Sequence, residues 1–305
     1  IKFADDGNDI LIGDSGWATF LAGGQDILQT TAFSNGSTDY IHTTNGADIV
    51  IGGGEGDTIT TGTDTQRDVV IGDNGRAVFT TNNNGRIDPN NLTSIESLDE
   101  HNNSTEVDII TTGAGNDVIL GGNATDTIIA NAGDDIILGD NGQAIFDEAG
   151  ILKAVTTTDE TIGAQDIITT GQGNDIAFGG VGTDYINVDS SDTTIKFADD
   201  GNDILIGDSG WANFATDTDA NRIATSNEDG SDDYIYSTQG QDILIGSIGN
   251  DTLTSGTDNQ RDIIIGDQAT ITFSTSSNGR FDTNTLITAV SDISDITDHG
   301  NDTIT

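Results

Sequence analysis

The stretch DIITTGAGNDVILGGNATDTIIANAGDDIILGD at residues 108–140 decides the fold. In this stretch an aspartate is followed by two or three β-forming residues and then by a turn rich in glycine and asparagine, and the unit repeats every nine residues. Because glycine destabilises helix interiors and β-branched residues favour extended backbone, the pattern predicts short strands. Each strand is expected to point one apolar side chain inward. Such a core is thin, so neighbouring turns of a solenoid must stack to bury it.

The nine-residue rhythm recurs in four arrays along the chain, each begun or resumed by an aspartate. These aspartates are Asp9, Asp39, Asp48, Asp57, Asp68, Asp108, Asp117, Asp126, Asp135, Asp166, Asp175, Asp184, Asp203, Asp233, Asp242, Asp251, Asp262 and Asp302. Residues 18 apart are expected to stack, which pairs Asp39 with Asp57, Asp108 with Asp126, Asp117 with Asp135, Asp166 with Asp184, and Asp233 with Asp251. Aspartate is also a common turn residue. Stacked carboxylates, however, would repel strongly without a cation between them.

A longer repeat contains the short one. Ile1–Ala18 recurs unchanged as Ile195–Ala212, and the similarity continues at an offset of 194 residues. Within this block, two apolar residues followed by Gly-Asp recur with their glycines at Gly13, Gly72, Gly139, Gly207 and Gly266. We therefore predict repeat segments at 1–35, 36–104, 105–162, 163–228, 229–297 and 298–305, as an excerpt from a longer repetitive chain.

The composition excludes several classes of protein. The chain has 52 acidic and 9 basic residues in 305, a formal net charge of −43, so it would repel nucleic acid. No apolar run approaches the length of a membrane span, and the absence of cysteine excludes disulfides and thiol catalysis. Low hydrophobicity with high net charge is ordinarily typical of disorder. The order of the repeats is what argues for a folded chain.

These residues resemble the calcium-binding nonapeptide of the RTX (repeats-in-toxin) family. GGVGTDYIN at Gly179–Asn187 has every defined position of the GGxGxDxUx motif, and GAGNDVIL at Gly113–Leu120 has its second half. The resemblance implies an all-β fold, a right-handed parallel β-roll or β-solenoid with Ca²⁺ at multiple sites in its turns. It also implies that the aspartate carboxylates and backbone carbonyls bind the ions. Ca²⁺ prefers six to eight such hard oxygens, which agrees with this chemistry.

The chain departs from the motif at several positions. Glu55 replaces a turn glycine, Thr193 stands where an aspartate is expected, and two residues are inserted before Asp68 and before Asp262, so we expect reshaped sites there. For the same reason the sites at Asp117 and Asp135 are predicted to be stronger than those around Asp57. An aspartate also replaces the second glycine of the motif at five places, as an extra metal ligand or as a turn former. These five are Asp14, Asp73, Asp140, Asp208 and Asp267.

Between the arrays, alternating apolar and polar residues around a Gly or Asn tip predict inserted β-hairpins. RAVFTTNNNGRID at Arg76–Asp88 is an example. Two roles are open for the hairpins: they cover an edge of the roll, or their aromatic and arginine side chains join copies into a homo-oligomer or filament. The side chains in question are Trp17, Phe20, Phe79, Phe146, Trp211, Phe214, Phe273, Arg67, Arg76, Arg86, Arg261 and Arg280.

We expect a non-catalytic, calcium-binding structural segment of a large extracellular or cell-surface bacterial protein, such as a filament or adhesin, that folds outside the cell. The alternative is the secretion-and-folding module of a toxin or secreted enzyme whose catalytic domain lies outside this segment. A third possibility, an ice- or carbohydrate-binding module, would require flat threonine ladders. GDSG at Gly13–Gly16 is similar to a serine-protease loop, but the internal copy GDNG at Gly72–Gly75 replaces its serine by asparagine, which is typical of a turn.

Overall fold

The fold was examined in a computed structural model, which describes residues 2–3, 6–21, 24–31, 36–80, 87–98, 106–214, 221–226, 230–274, 285–291 and 301–305. Over these residues the chain is built from β-strands, and a short turn of 3-10 helix lies at Pro89–Asn91. The described part of the chain has no helix that is long and apolar enough to cross a membrane. The chain is therefore all-β, as the short glycine-bounded repeats predict.

Twenty-nine strands are described. They are β1 (Lys2–Phe3), β2 (Ile10–Ile12), β3 (Gly16–Thr19), β4 (Gln25–Thr30), β5 (Tyr40–His42), β6 (Ile49–Ile51), β7 (Thr58–Thr60), β8 (Val69–Ile71), β9 (Gly75–Thr80), β10 (Leu92–Ser97), β11 (Ile109–Thr111), β12 (Val118–Leu120), β13 (Thr127–Ile129), β14 (Ile136–Leu138), β15 (Gly142–Phe146), β16 (Leu152–Thr157), β17 (Ile167–Thr169), β18 (Ile176–Gly180), β19 (Tyr185–Ile186), β20 (Ile204–Asp208), β21 (Gly210–Asn213), β22 (Asn221–Thr225), β23 (Tyr234–Tyr236), β24 (Ile243–Ser247), β25 (Thr252–Thr254), β26 (Ile263–Asp267), β27 (Ala269–Phe273), β28 (Leu286–Ser291) and β29 (Thr303–Ile304).

The nonapeptide strands form two parallel sheets. Sheet A has the order β1-β5-β7-β11-β13-β17-β19-β23-β25-β29, and sheet B has the order β2-β6-β8-β12-β14-β18-β20-β24-β26. Successive nonapeptides alternate between the sheets, so two of them make one coil, and residues 18 apart lie side by side. Ile110 pairs with Ile128 in sheet A, and Ile119 pairs with Ile137 in sheet B. The chain thus forms a β-roll.

The core between sheets A and B contains one side chain from each strand away from the ends of the stack. Sheet A strands alternate, as in Thr58–Thr60, where only the central Ile59 is fully buried. It belongs to a cluster with Val50 and Val70 from sheet B. The expectation of a single inward apolar residue per strand therefore holds for sheet A.

Sheet B differs, because its strands between the terminal β2 and β26 bury all three residues. Ile49–Ile51 and Val118–Leu120 are buried throughout, which is typical of strands covered on both faces. The central residues face sheet A, and the outer two, such as Ile49 and Ile51, belong to a second core with residues of the hairpins. The expectation of one thin core is therefore wrong, since the molecule has two cores with sheet B between them.

The hairpins form the third layer. Each pairs with the next, and together they make a continuous antiparallel sheet C in the order β28-β27-β22-β21-β16-β15-β10-β9-β4-β3. For example, β9 pairs with β4 of the preceding hairpin, and Leu28 lies opposite Ala77. Both residues are buried in the second core. The hairpins therefore cover sheet B along the stack, as one of the two predicted roles requires.

The aromatic side chains of the hairpins lie mainly inside the molecule. Phe79 and Phe273 are 0 % exposed, Phe214 is 2 % exposed and Phe146 is 5 % exposed. These four phenylalanines therefore do not form the exposed surface that contact between copies, the second of the two open roles, would use, because they pack against sheet B. Trp17 and Phe20 do remain exposed.

The arginines near the hairpins have partners within the chain. Arg76 forms an ion pair with Glu96 of the neighbouring strand, with 2.9 Å between Nη1 and Oε1. The guanidinium of Arg222 lies 5.6 Å from the centre of the Trp211 ring. Arg86 and Arg280 are outside the described residues. Intramolecular contacts thus account for the arginines whose surroundings the structure gives.

The interruptions of the nine-residue rhythm do not break the sheets. Despite the two residues inserted before Asp68, β8 pairs in register with β6 and with β12. After Asp184, the next strand of sheet B begins beyond Asp203, and β20 pairs in register with β18. The intervening chain forms a small loop in which Val188 pairs with Lys196. Thr193 lies in this loop, and Asp203 takes the place in register that the spacing assigned to residue 193.

Candidate calcium sites in the turns

The predicted site aspartates lie in two columns. Each coil has two turns that connect sheets A and B, and each column runs along one of these two sets of turns. The first aspartate column precedes the strands of sheet A and consists of Asp39, Asp57, Asp108, Asp126, Asp166, Asp184, Asp233, Asp251 and Asp302. The second aspartate column precedes the strands of sheet B and consists of Asp9, Asp48, Asp68, Asp117, Asp135, Asp175, Asp203, Asp242 and Asp262. All eighteen nonapeptide aspartates are therefore brought together, nine in each column.

Within each column the carboxylates form a continuous ladder. The backbone N–H of every column aspartate except the last in each column donates to Oδ1 of the next one, over 2.6–3.2 Å. The five pairs that are 18 residues apart are all rungs of these ladders. A carboxylate is thus held rigidly at each turn, with one oxygen already bonded.

The second carboxylate oxygen is the one left for a ligand. In nine column aspartates Oδ2 is buried and accepts no hydrogen bond: Asp48, Asp108, Asp117, Asp126, Asp166, Asp184, Asp203, Asp233 and Asp251. A buried carboxylate oxygen without a partner is costly. A hard divalent cation removes that cost, because Ca²⁺ binds carboxylate oxygens directly.

Glycine makes room for further oxygens beside these carboxylates. A Cβ added at Gly72 would collide with Oδ2 of Asp108 and with the backbone oxygen of Gly121. A carboxylate and a carbonyl oxygen therefore converge where a side chain would otherwise lie. This donor set fits Ca²⁺, which takes both kinds of oxygen.

The surroundings of the columns favour the protonated carboxylate when no cation is bound. Burial raises the pKa of Asp117 to about 6 and that of Asp251 to about 7. Burial, followed by the charge of Asp117, raises the pKa of Asp68 to about 8. For Asp126, burial and the charges of Asp108 and Asp166 raise the pKa well above its ordinary value. A bound cation would reverse these effects by favouring the ionised form.

The five aspartates of the Gly-Asp turns are placed differently; we call them the clamp aspartates (Asp14, Asp73, Asp140, Asp208 and Asp267). Where the surroundings of both oxygens are given, each binds a backbone amide of the next coil. In Asp208, Oδ1 accepts from Ser231 N at 3.2 Å and Oδ2 from Ile248 N at 2.6 Å, and Asp140 accepts in the same way from Ala164 and Val181.

Two of the other three clamp aspartates, Asp14 and Asp73, follow this pattern in part. Oδ2 of Asp14 accepts from Gly54 N at 2.9 Å, and Oδ2 of Asp73 accepts from Asn123 N at 2.6 Å. The chain leaves the roll for sheet C directly after these turns, so the side chain connects the interrupted coil to the next one. This geometry favours the turn-forming role over the ligand role, which stays a prediction for all five.

The sequence reasoning missed three further aspartates in the turns before sheet B. Asp64 and Asp258 lie in the two-residue insertions, and each accepts a backbone amide of the neighbouring coil, Gly46 N and Gly240 N, both at 2.8 Å. Asp199 is buried beside the second column and lies four residues before Asp203. The signal available for all three was an aspartate four residues before a column aspartate.

The comparison with known families agrees with this geometry. The family described as RTX calcium-binding nonapeptide repeat (4 copies) matches residues 33–65, 111–143, 163–195, 197–211 and 229–259. The chain carries RTX repeats. These repeats bind Ca²⁺ at multiple sites, and the matched segments contain most members of both aspartate columns. No curated protein is similar enough to the chain to be counted as a match.

Proposed function

We propose that this chain is a non-catalytic segment of a rod, built by RTX repeats in a large extracellular or cell-surface bacterial protein that serves attachment or adhesion. One observation carries the proposal. The pairing of β29 with β25, Thr303 opposite Thr252, repeats at an offset of 194 residues the pairing of β11 with β7, Ile109 opposite Thr58. The sequence repeat and the stack therefore have the same register. Each further block would extend the same three sheets.

The dimensions of such a rod follow from strand spacing. From β2 to its counterpart β20, one 194-residue block advances sheet B by six strands. Neighbouring strands lie about 4.8 Å apart, so each block adds about 29 Å of length at constant cross-section. Parallel strands paired along their whole length make the rod stiff without disulfides.

Calcium would couple folding to the location of the chain. The columns place buried carboxylates one coil apart, and their repulsion opposes folding where free Ca²⁺ is scarce. Extracellular calcium modules bind at roughly 10⁻⁴–10⁻³ M, so the chain would stay unfolded during export and fold outside. The carboxylates of the columns are committed to backbone amides and ions, which supports a structural rather than a catalytic role.

The exposed face of sheet A supports a mechanical role over an ice-binding one. The sheet has two outward rows, because both flanking residues of a strand such as Thr58–Thr60 face outward. Neither row is a flat threonine ladder of the kind that ice binding would require. In register the first row runs Tyr40, Thr58, Ile109, Thr127, Ile167, Tyr185, Tyr234, Thr252, Thr303. In the second row His42, Ile129 and Tyr236 interrupt the threonines Thr60, Thr111, Thr169 and Thr254.

The test compares the 305-residue chain with a chain lengthened by one more 194-residue block. Small-angle X-ray scattering in millimolar Ca²⁺ should show a maximum dimension greater by about 29 Å and an unchanged cross-section. Light scattering should show a monomer for both, since the rod grows within the chain. Two separately tumbling bodies would overturn the proposal.

The alternative, a secretion-and-folding module beside a toxin or enzyme, predicts a different surrounding sequence. Many further copies of the block on either side support the rod. A single catalytic domain adjoining a short array would favour the alternative.

A further inference from the structure

At one point of the second aspartate column, a third carboxylate lies beside two neighbouring column aspartates, and we call such a neighbouring pair a rung. Asp175, Asp199 and Asp203 are all buried, and each offers an oxygen that lies within 4.8 Å of those offered by the other two. Among the described residues, no other group of three acidic side chains brings its oxygens so close together. Three negative charges therefore converge at this point of the column.

The loop after β19 positions the third carboxylate, that of Asp199, beside the column. Val188 pairs with Lys196, and the N–H of Phe197 donates to the Asn187 carbonyl at 2.9 Å, so the chain returns to the roll just before Asp199. Asp200 then bridges to Gln172 of the preceding coil, which aligns Asp199 with Gly171. A carboxylate thus occupies a position where the preceding coil has a glycine.

The side chains at this rung are held in place, with two oxygens left over. Oδ2 of Asp199 accepts from Asn187 Nδ2 at 3.1 Å, and Oδ1 of Asp203 accepts from Asp175 N at 2.8 Å. Oδ1 of Asp199 and Oδ2 of Asp203 accept no hydrogen bond, although the two residues are 2 % and 1 % exposed. Two unpartnered oxygens fixed among three buried carboxylates indicate a ligand of positive charge.

Asp64 and Asp258 show that an aspartate at this position is not sufficient. Each also lies four residues before a column aspartate, but both are partly exposed. The two oxygens of Asp64 accept from Gln66 N and Gly46 N, and those of Asp258 accept from Gln260 N and Gly240 N. Their carboxylates are used by the backbone, whereas Asp199 keeps one oxygen for a ligand.

We propose that Asp175, Asp199 and Asp203 bind one Ca²⁺ more tightly than the other sites of the two aspartate columns do. Ligand charge and rigidity set the affinity of Ca²⁺ sites in proteins, and here three carboxylates converge on side chains that hydrogen bonds hold in place. This ion is the first to bind as Ca²⁺ rises and the last to leave on chelation. The inference rests on calcium binding by the repeats and does not depend on the rod.

The experiment counts the Ca²⁺ retained per chain after gel filtration in EGTA-buffered solutions of decreasing free Ca²⁺. The full chain is compared with the Asp199→Asn variant, and the control is Asp200→Asn, which removes the same charge from the exposed neighbour. The wild type and the control should retain one ion at free Ca²⁺ about tenfold below the level that empties the other sites. The Asp199→Asn variant should lose this ion together with the rest.

Two results would overturn the inference. One is a wild-type chain that releases all its ions in a single step, a measurement that needs no variant. The other is an Asp199→Asn chain that keeps the tightest ion, with a β spectrum in millimolar Ca²⁺ verifying that it folds. A chain that holds this ion but does not lengthen as a rod would refute the proposed function alone.

Discussion

Sheet B has a different contact on each of its faces. Toward sheet A it contributes one side chain per strand, such as Val50, and aspartate columns flank this core at both turns. Toward sheet C it contributes two per strand, such as Ile49 and Ile51, which pack with phenylalanines of the hairpins. The buried carboxylates of the aspartate columns therefore flank the A–B contact, whereas the B–C contact contains most of the large apolar side chains.

The difference shows that two kinds of interaction stabilise the same sheet: cation binding at the turns on one face and apolar burial on the other. We expect that the thin A–B core alone does not offset the repulsion between stacked carboxylates, so the roll should require cations. The B–C core gains stability from apolar burial, which does not depend on ions. Sheet C nevertheless needs the roll, because its inner face packs on sheet B. Calcium should therefore control both layers, while changes in sheet C should leave calcium binding intact.

The largest expected effect is the removal of calcium. In EGTA at neutral pH the circular dichroism spectrum should lose its β signal, because the ladders then place unscreened carboxylates one coil apart. Trp17 and Trp211 lie in sheet C, so their fluorescence should change in the same step.

Magnesium is the control for this removal. It should restore the fold poorly, because it requires rigid octahedral geometry and dehydrates reluctantly. A full β spectrum in chelator would show that the roll does not depend on its cations.

Acid should partly replace calcium. Burial raises the pKa of Asp242 to about 6, and burial raises that of Asp208 to about 9. Groups whose pKa is raised on folding stabilise the folded chain below their unfolded pKa of 3.8, and this contribution is lost as the pH rises through the folded pKa. In chelator, lowering the pH from about 9 toward 4 should therefore increase the β signal, measured by circular dichroism. A chain that is equally unfolded at both pH values would contradict the raised pKa values.

A cavity in the B–C core should destabilise the chain without changing its ions. Phe79 is fully buried and Phe20 is 52 % exposed. Phe79→Ala should cost about 3–5 kcal/mol in calcium-saturated urea unfolding, whereas Phe20→Ala should change stability by less than about 0.5 kcal/mol.

The number of bound Ca²⁺ ions should be the same in both phenylalanine variants, since neither residue touches a turn site. Ions lost in the Phe79→Ala variant at full folding would mean that the two contacts of sheet B are not separable.

The smallest expected effect separates two turns within the roll. Asp57 and Asp117 both belong to the hydrogen-bonded ladders of the aspartate columns. The turn before Asp57, however, contains Glu55 with a φ of 64°. A non-glycine residue in this region stores roughly 1 kcal/mol of strain, so this site should be about fivefold weaker. Calcium titration should accordingly show a larger loss for Asp117→Ala than for Asp57→Ala. An equal loss would mean that register alone decides affinity.

Much of the roll could be predicted because its determinants are local. The nine-residue spacing of Asp108, Asp117 and Asp126 predicts strands, turns and stacking, since each coil repeats the geometry of the last. The insertion before Asp68 leaves β8 in register with its neighbours, because the extra residues fit into the turn, and a reshaped calcium site there stays a prediction. A signal for the second core was present but not used: strands such as Ile49–Ile51 are apolar at all three positions.

The sequence by itself determined the nine-residue period, the division into nonapeptide strands and hairpin strands, and the positions of the column aspartates. These features depend on spacing and turn chemistry, which act between near neighbours in the chain. Only the tertiary structure decided that five separate hairpins join into one sheet and bury Phe79 and Phe273, since strands far apart in the chain must meet to form it. It also decided which carboxylates remain available. Asp199 and Asp64 each lie four positions before a column aspartate, but their surroundings differ. Backbone amides bind both oxygens of Asp64. Asp199 is buried and keeps one oxygen for a ligand.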